Sequence, residues 1–140
     1  MPFDQCLYFN STNLARVLTR RWERAYAPTG LSPALAYLLR QILNQPGSSQ
    51  RDLADSLTLE RSTVTRLLDK LIEKSLIEKR PHDSDRRSLL IWPTAKARSL
   101  RPTLDSIGAQ LASDMRNRIG DSDLSKLVIM EKSATARIQS

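Results

Sequence analysis

Polar side chains suited to hydrogen bonding with a nucleic acid are concentrated between positions 61 and 70. Serine and threonine hydroxyls can approach a base edge or a phosphate closely, and an arginine guanidinium can bond guanine through two parallel hydrogen bonds. A helix over this stretch would also present its positive N-terminus, which attracts phosphate. The candidate contact residues are Arg61, Ser62, Thr63, Thr65, Arg66 and Lys70. Taken alone, this pattern favours an ordinary solvated helix face, and the neighbouring elements decide whether the face recognises duplex DNA.

A second group of charged residues follows in the segment from Lys79 to Arg87. Proline and aspartate are dense there, which predicts a turn and not a strand. The candidate DNA contacts in this segment are Arg80, His82, Asp85, Arg86 and Arg87. The carboxylate of Asp85 can hold a neighbouring guanidinium in a bidentate pair, and Arg87 aimed in this way would reach the narrow minor groove. The alternative is a surface salt bridge worth under about 1 kcal/mol, and the segment alone favours that alternative.

Apolar spacing indicates which elements position these two groups. Apolar residues recur at helical spacing from Arg61 to about Lys74 and predict one buried stripe opposite the hydroxyls. This stripe consists of Val64, Leu67, Leu68 and Leu71. A short helix capped by Ser49 comes before, and two short strands, Leu76–Ile77 and Ser88–Trp92, enclose the charged segment. The order predicts a winged helix-turn-helix, whose second helix enters the major groove of DNA. A solvated helix face would explain the outer residues alone, but not this combination.

Helical patterns before this motif predict two further helices. Asn10 or Ser11 can cap the first, which is expected to run to about Ala27. Ser32 can cap the second, with Pro33 at its first position, where the missing N–H costs little. The expected fold class is therefore mainly α with a small β-hairpin wing.

Two helices are also expected after the hairpin. The first should run from about Thr94 to Arg118, and Pro102 inside it should kink it or delay its start. A last, weakly amphipathic helix follows Gly120. No stretch has the composition of a domain linker, so we expect a single domain over residues 1–140.

The composition argues against several other classes of protein. A formal charge of +7 fits a polyanionic partner, with nucleic acid first and an anionic membrane second. The single cysteine, Cys6, excludes an intramolecular disulfide, and the only histidine, His82, lies far from it in the sequence. We therefore expect no metal, no cofactor and no enzyme activity. The absence of a long apolar run and of a signal peptide leads us to expect a cytoplasmic protein.

The segments LSPALAYLL and QRDLADSLTLERSTVTRLLDKLIEKSLIEKRPHDSDRRSLLIWPT resemble the MarR family of bacterial transcription regulators over about residues 31–94. The resemblance implies a homodimer in which helices at about 10–27 and 94–140 interlock, while the winged lobe at about 31–94 binds DNA. The Asp-x-Arg motif of the family falls on Asp85 and Arg87. Its recognition-helix positions fall on Arg61, Ser62, Thr63, Thr65 and Arg66.

The chain departs from the family pattern at two turns. Ser75 stands where the family usually has glycine, and Pro93-Thr94 with Ala97 replaces a Leu-Thr pair with a nearby glycine. Glycine tolerates a positive φ angle better than serine does. We therefore expect the turn at Ser75 to be shaped differently or to be slightly strained.

Aromatic residues and one thiol are the remaining candidates for function. Family members often respond to small aromatic anions, and the aromatic residues of the first two helices could line such an effector pocket, although core packing explains them at least as well. They are Tyr8, Trp22, Tyr26 and Tyr37. Cys6 could sense peroxide as in one branch of the family, but it lies about two residues out of register, and an inert cysteine is favoured.

The sequence as a whole predicts a DNA-binding transcriptional regulator that acts as a homodimer on a pseudo-palindromic operator. Repression, with release by a small aromatic effector or by oxidation, is the expected mode. The main alternative is a winged-helix protein-interaction module with only non-specific affinity for DNA. A thiol-dependent redox enzyme built on Cys6 is a third and weaker alternative.

Overall fold

The computed structural model of this chain describes residues 2–85 and 87–139. The described elements are α1 (Leu7–Tyr26), a 3-10 turn (Ala27–Thr29), α2 (Pro33–Asn44), β1 (Ser48–Ser49), α3 (Gln50–Leu57), α4 (Arg61–Glu73), β2 (Ile77–Pro81), β3 (Leu89–Pro93), α5 (Ala95–Ile119) and α6 (Asp121–Gln139). They confirm the expected mainly α fold with a small antiparallel wing. The chain forms two compact units, Met1–Asp105 and Ser106–Ser140, and α5 contributes to both.

Helix α2 is the central element of the first unit, where it contacts α1, α3, α4 and β3. The side chains of Leu38, Leu39 and Ile42 are fully buried, because apolar residues at helical spacing cover most of the helix circumference. The predicted cap is confirmed, since Ser32 Oγ accepts a hydrogen bond from the Leu35 backbone N–H at 3.2 Å. The other elements of the lobe are therefore packed around a well-defined helix.

Helices α3 and α4 form the helix-turn-helix. Ser49 caps α3 as predicted, and its Oγ accepts from the Asp52 N–H at 3.0 Å. The turn between the helices depends on Thr58, which has a left-handed φ of 54°, and on a bond of 2.9 Å from the Leu59 N–H to the Ala54 carbonyl. The predicted stripe of α4 is buried, which turns the opposite face outward. It consists of Val64, Leu67, Leu68 and Leu71.

The wing is larger than the sequence predicts. β2 and β3 pair antiparallel from Ile77 opposite Pro93 to Pro81 opposite Leu89. The prediction of a turn over residues 79–81 is therefore wrong, because β2 is the outer strand of a sheet ordered β1-β3-β2 and an outer strand tolerates a proline. The two-residue strand β1, which pairs with β3, is too short to show an alternating pattern in the sequence.

The start of α1 also differs from the prediction. The helix begins at Leu7, with Cys6 as its N-cap residue, and not after Asn10 or Ser11. The Asn10 side chain lies in the first turn and donates to the carbonyls of Cys6 and Asp4 at 2.8 and 2.9 Å. The predicted N-cap at Asn10 or Ser11 was wrong because asparagine and serine are common N-cap residues, whereas Cys6 makes no side-chain capping bond that the sequence could indicate.

Helix α5 runs without interruption through Pro102. The expectation of a delayed start is wrong, because the helix begins at Ala95, and Ala97 and Leu104 on either side of the proline are fully buried. Packing of this kind can offset the one backbone hydrogen bond that proline cannot make. Among the described helices, none combines the length and the hydropathy that a membrane span requires.

The second unit contains the later part of α5 and all of α6. Leu111 and Met115 are its buried side chains among those described, and Arg118 Nε bonds Asp114 Oδ1 one turn away at 3.0 Å. Gly120, with a φ of 96°, separates the two helices. A residue with a Cβ is disfavoured in this conformation, which explains the helix break at this position.

Ser75 adopts the conformation that glycine would favour, with a φ of 60°. The Ser75 N–H bonds the Ile72 carbonyl at 2.9 Å and the Leu76 N–H bonds the Leu71 carbonyl at 3.0 Å, which is the Schellman pattern of helix termination. The Ser75 carbonyl also accepts from Thr94 Oγ1 at 2.7 Å. The turn therefore has the usual shape of a Schellman motif. Of the two expected outcomes, the structure supports slight strain at Ser75 and not a different turn shape.

Replacing Ser75 with glycine should stabilise the protein. The left-handed conformation costs a residue with a Cβ about 1–2 kcal/mol, and part of that gain is lost to the greater freedom of glycine in the unfolded chain. We expect a net gain of up to about 1 kcal/mol in the free energy of unfolding, measured by urea denaturation. Ser75→Ala keeps the Cβ and should give no gain. A glycine variant less stable than the original protein would contradict this account.

Candidate nucleic-acid interface

The predicted recognition residues lie together on the solvent-facing side of α4. Arg61, Ser62, Thr65, Arg66 and Lys70 are exposed and Thr63 is half-buried. Their spacing places the hydroxyls and two arginines on the N-terminal half of that side, while the carboxylates of α4 follow later along the helix. This half of the helix combines hydrogen-bonding groups with positive charge.

The N-terminus of α4 is not capped by its own flanking residue. Glu60 is the N-cap residue, and its side chain makes no hydrogen bond to the first turn. The first N–H groups of a helix need an acceptor, and together with the helix dipole they attract anions. Arg61, the first residue of the helix, adds a full positive charge at the same end. This end of α4 is therefore suited to a phosphate.

Thr65 is already engaged in hydrogen bonds inside the protein. Its hydroxyl donates to the Arg61 carbonyl at 3.0 Å and accepts from Gln50 Nε2 at 2.5 Å. Gln50 is the first residue of α3 and was not among the residues that the sequence singled out. A glutamine directly after a capping serine carries no periodic signal, and its partner lies 15 residues away in the sequence.

Arg80 is held on the face of the sheet and not in the wing loop. Its guanidinium carbon lies 5.0 Å from the centre of the Trp92 ring, and its Nε donates to Glu78 Oε1 at 2.8 Å. Trp92 in turn covers Gly47, where an added Cβ would lie 2.8 Å from the ring. Arg80 is therefore engaged by partners within the protein, although its side chain remains half-exposed.

The carboxylate of Asp85 organises the wing tip through the backbone. Asp85 Oδ1 accepts from the Arg87 N–H at 3.0 Å, and Oδ2 accepts from the Ser88 hydroxyl at 3.2 Å. No ion pair joins Asp85 to the Arg87 guanidinium, although both residues are described, so the expected bidentate pair is not the contact that the structure contains. Asp85 instead holds the backbone of the segment that carries Arg87.

The other tip residues include His82, whose Nδ1 accepts from the Ser84 N–H at 3.0 Å. The backbone N–H of His82 donates to the Ser88 carbonyl at 2.8 Å, and this bond joins the two ends of the loop. Arg86, the remaining predicted wing contact, lies outside the described residues. The described tip thus presents Arg87 on a loop held by local hydrogen bonds.

The structure brings together three of the four aromatic residues that the sequence singled out. Trp22 Nε1 donates to the Tyr37 hydroxyl at 2.6 Å, and the rings of Tyr37 and Tyr26 meet edge to face at 6.3 Å. Tyr8 does not belong to this group, because it lies 77% exposed near the start of α1, about 27 Å along the helix from Tyr26. Cys6 is exposed.

Tyr26 is fully buried, and its hydroxyl makes no hydrogen bond of good geometry among the described residues, although Arg40 lies close enough to interact with it. Burial raises the pKa of Tyr26 above its usual value of 10.0, and the positive charge of Arg40 opposes this effect only in part. A buried hydroxyl without a hydrogen bond of good geometry is costly, so this residue is a weak point of an otherwise apolar core.

Comparison with known proteins agrees with this geometry. The MarR family model matches residues 31–89, which contain both helices of the helix-turn-helix and most of the wing. The helix-turn-helix and most of the wing of this chain are therefore similar to the MarR family.

The individual proteins that this chain resembles are distant in sequence. A Thauera aromatica protein named for transcriptional regulation of the hcr operon is 27% identical over 110 residues, which cover 78% of this chain and 66% of that protein. The HTH-type transcriptional regulator BilQ of Clostridium symbiosum is 34% identical over 67 residues, or 48% and 46% of the two chains. The chain therefore matches about half to two thirds of the length of these curated relatives.

Solved structures extend the likeness beyond the lobe. Bordetella bronchiseptica BpsR, whose DNA binding is regulated by 6-hydroxynicotinic acid, superposes with a TM-score of 0.86 over 95% of each chain at 15% identity. At this level of identity the likeness shows a shared fold, including the helices that flank the lobe.

Asp85→Ala should weaken DNA binding about three- to tenfold, equivalent to about 1 kcal/mol, because loss of both loop hydrogen bonds frees the segment that carries Arg87. Asp83→Ala is the matched control. Asp83 is an exposed acid in the same loop with no hydrogen bond or ion pair in the described structure, and its removal should leave binding unchanged or tighter. Titration of duplex DNA with both variants tests this, and tighter binding by Asp85→Ala would refute the orienting role.

Tyr26→Phe should stabilise the protein by about 1 kcal/mol at neutral pH, because it removes a buried hydroxyl without a hydrogen bond of good geometry. The gain should grow as the pH rises above 10.0, because the unfolded chain then releases the phenol proton of Tyr26 more readily than the folded protein does. This proton release destabilises the folded state of the original protein, whereas the phenylalanine variant has no phenol to titrate. Tyr37→Phe, which removes the acceptor of the Trp22 bond, should give no gain. Equal stability curves for the original protein and Tyr26→Phe would contradict the prediction.

Proposed function

We propose that this protein is a cytoplasmic, sequence-specific DNA-binding regulator of transcription. The observation that carries the proposal is the exposed hydroxyl and arginine face of α4, with an uncapped N-terminus, between α3 and a wing that presents Arg87. In a winged helix-turn-helix this face enters the major groove, and the wing contacts the backbone or the minor groove. The formal net charge of +7 also favours binding to the phosphate backbone of DNA.

In this proposal the residues of the interface divide by task. Ser62, Thr63 and Arg66 face the base edges, and Arg61 with the α4 N-terminus holds a phosphate. Lys70 contributes charge to the groove side of the helix. On the wing, Arg87 enters the minor groove, while His82, Asp85 and Arg80 support the strands and loop that carry it.

The protein is proposed to act as a homodimer on a pseudo-palindromic operator. Large apolar side chains near both ends of the chain are exposed in the isolated protein and need a cover. They include Phe3 at 55%, Leu7 at 64%, Ile129 at 61%, Met130 at 69% and Ile138 at 71%. A second copy would cover them and bring two winged lobes to two half-sites, with dimerisation helices at about 10–27 and 94–140 and a lobe at about 31–94.

Repression is the proposed mode of action, with release by a small aromatic ligand as the proposed control. The contacts among Trp22, Tyr26 and Tyr37 support such a ligand because they place aromatic faces and a buried hydroxyl close together. The regulation of BpsR by 6-hydroxynicotinic acid is a precedent within the same fold. Oxidation of the exposed Cys6 is a second proposed control and rests on its exposure alone.

Selection from random duplex DNA by the purified protein tests the proposed function. The protein should enrich an inverted repeat, and Arg66→Ala should lose preference mainly at one base pair of each half-site, at a cost of about 1–3 kcal/mol. Sedimentation at micromolar concentration should give close to twice 15.9 kDa. Binding of all sequences with equal affinity would instead support the protein-interaction module. A clean monomer would refute the dimer.

A further inference from the structure

The side-chain bond between Gln50 and Thr65 changes which residue offers hydrogen bonds at the middle of the α4 face. The Thr65 hydroxyl has a single proton, and that proton is donated to the Arg61 carbonyl. Thr65 therefore has none left for an acceptor on a base. Gln50 donates to the same oxygen at 2.5 Å, so its amide lies directly against the exposed side of α4 although Gln50 belongs to α3.

Half of the Gln50 amide remains available. Within residues 2–85 and 87–139 its Oε1 and its second N–H have no partner, and the residue is only half-buried. When Thr65 engages the N–H that points away from Oε1, the remaining N–H and Oε1 lie side by side as a donor and an acceptor. In the major groove adenine presents the complementary pattern, with the N6 amino group as donor and N7 as acceptor.

We propose that Gln50 is a specificity-determining residue that reads an adenine in the major groove, with Thr65 as the residue that positions it. The inference rests on the proposed function, because it requires α4 to lie in the groove. It extends the reading surface from α4 to the first residue of α3.

The chemistry of the alternatives favours a base over a phosphate. Phosphate oxygens only accept hydrogen bonds, so the free Oε1 of Gln50 would face a second acceptor there. A purely structural link between α3 and α4 would need only the Nε2–Oγ1 bond, with Oε1 solvated by water, and would give Gln50 no effect on sequence preference. Adenine satisfies both groups at once.

Selection from random duplex DNA should be carried out with the original protein and with Gln50→Ala and Gln50→Glu. Gln50→Ala should lose the preference for adenine at one position of each half-site by about fivefold or more, with other positions unchanged. Gln50→Glu keeps the size of the side chain but cannot donate, and should shift that position towards cytosine, whose N4 amino group a carboxylate accepts. Gln41→Ala is the matched control, since Gln41 is also half-buried and donates a side-chain bond, to Gln45, but lies on α2.

Thr65→Val separates the positioning role from the reading role. Valine keeps the shape of threonine but removes the oxygen that holds Gln50, so the same base position should relax partly. Adding Gln50→Ala to Thr65→Val should then cost less than it does in the original protein.

An equal loss of affinity for every sequence in Gln50→Ala, with no change in the selected motif, would overturn this inference and leave the proposed function intact. An original protein that enriches no sequence would overturn both. A change of preference at one base pair in both Gln50 variants, absent in Gln41→Ala, would support the inference.

Discussion

The polar face of α4 can be presented to a partner only because the opposite face is buried. Val64, Leu68 and Leu71 have no exposed surface, and each contributes about 1.5–3 kcal/mol through burial of its side chain. Helices α2 and α3 and strand β2 all pack against α4 and cover these side chains. The orientation of every hydroxyl and guanidinium on the outer face follows from this packing, because a helix is stiff and its two faces cannot rotate independently.

The turns at the two ends of α4 adapt to that packing at a local cost. Thr58 before the helix and Ser75 after it both have a positive φ, which glycine would adopt without strain. Thr58 follows the end of α3, and Ser75 follows the end of α4. In each case the N–H of the next residue bonds a carbonyl in the last turn of the preceding helix, so the strained residue lies inside a closed hydrogen-bonded motif. The buried leucines on either side outweigh a cost of about 1–2 kcal/mol at each turn. Resemblance to a family identified the strain at Ser75, whereas nothing in the sequence around Thr58 indicated it.

Periodicity predicted the helices of this fold because burial repeats every three to four residues along each of them. The buried stripe of α4 and the caps at Ser32 and Ser49 were predicted from adjacent residues alone. The extra length of β2 was missed because its residues read as a turn locally, and only pairing with β3 makes them a strand. The contacts of Gln50 with Thr65 and of Arg80 with Trp92 were missed for a similar reason, since they join residues that are 15 and 12 positions apart.

These longer-range contacts matter for how the proposed interface would discriminate between DNA sequences. A side chain that is ordered only on binding costs about 0.5–1.5 kcal/mol, and this cost is the same for the right and the wrong sequence. Thr65, Arg80 and the backbone at Arg87 are already held by partners within the protein, so less of that cost remains to be met on DNA. The same partners lower the general attraction to DNA, because Glu78 and Asp85 place negative charge beside the cations. Such a surface has a lower non-specific affinity for DNA. The affinity that remains depends more strongly on whether the hydrogen-bonding groups of a DNA sequence match the fixed side chains in position.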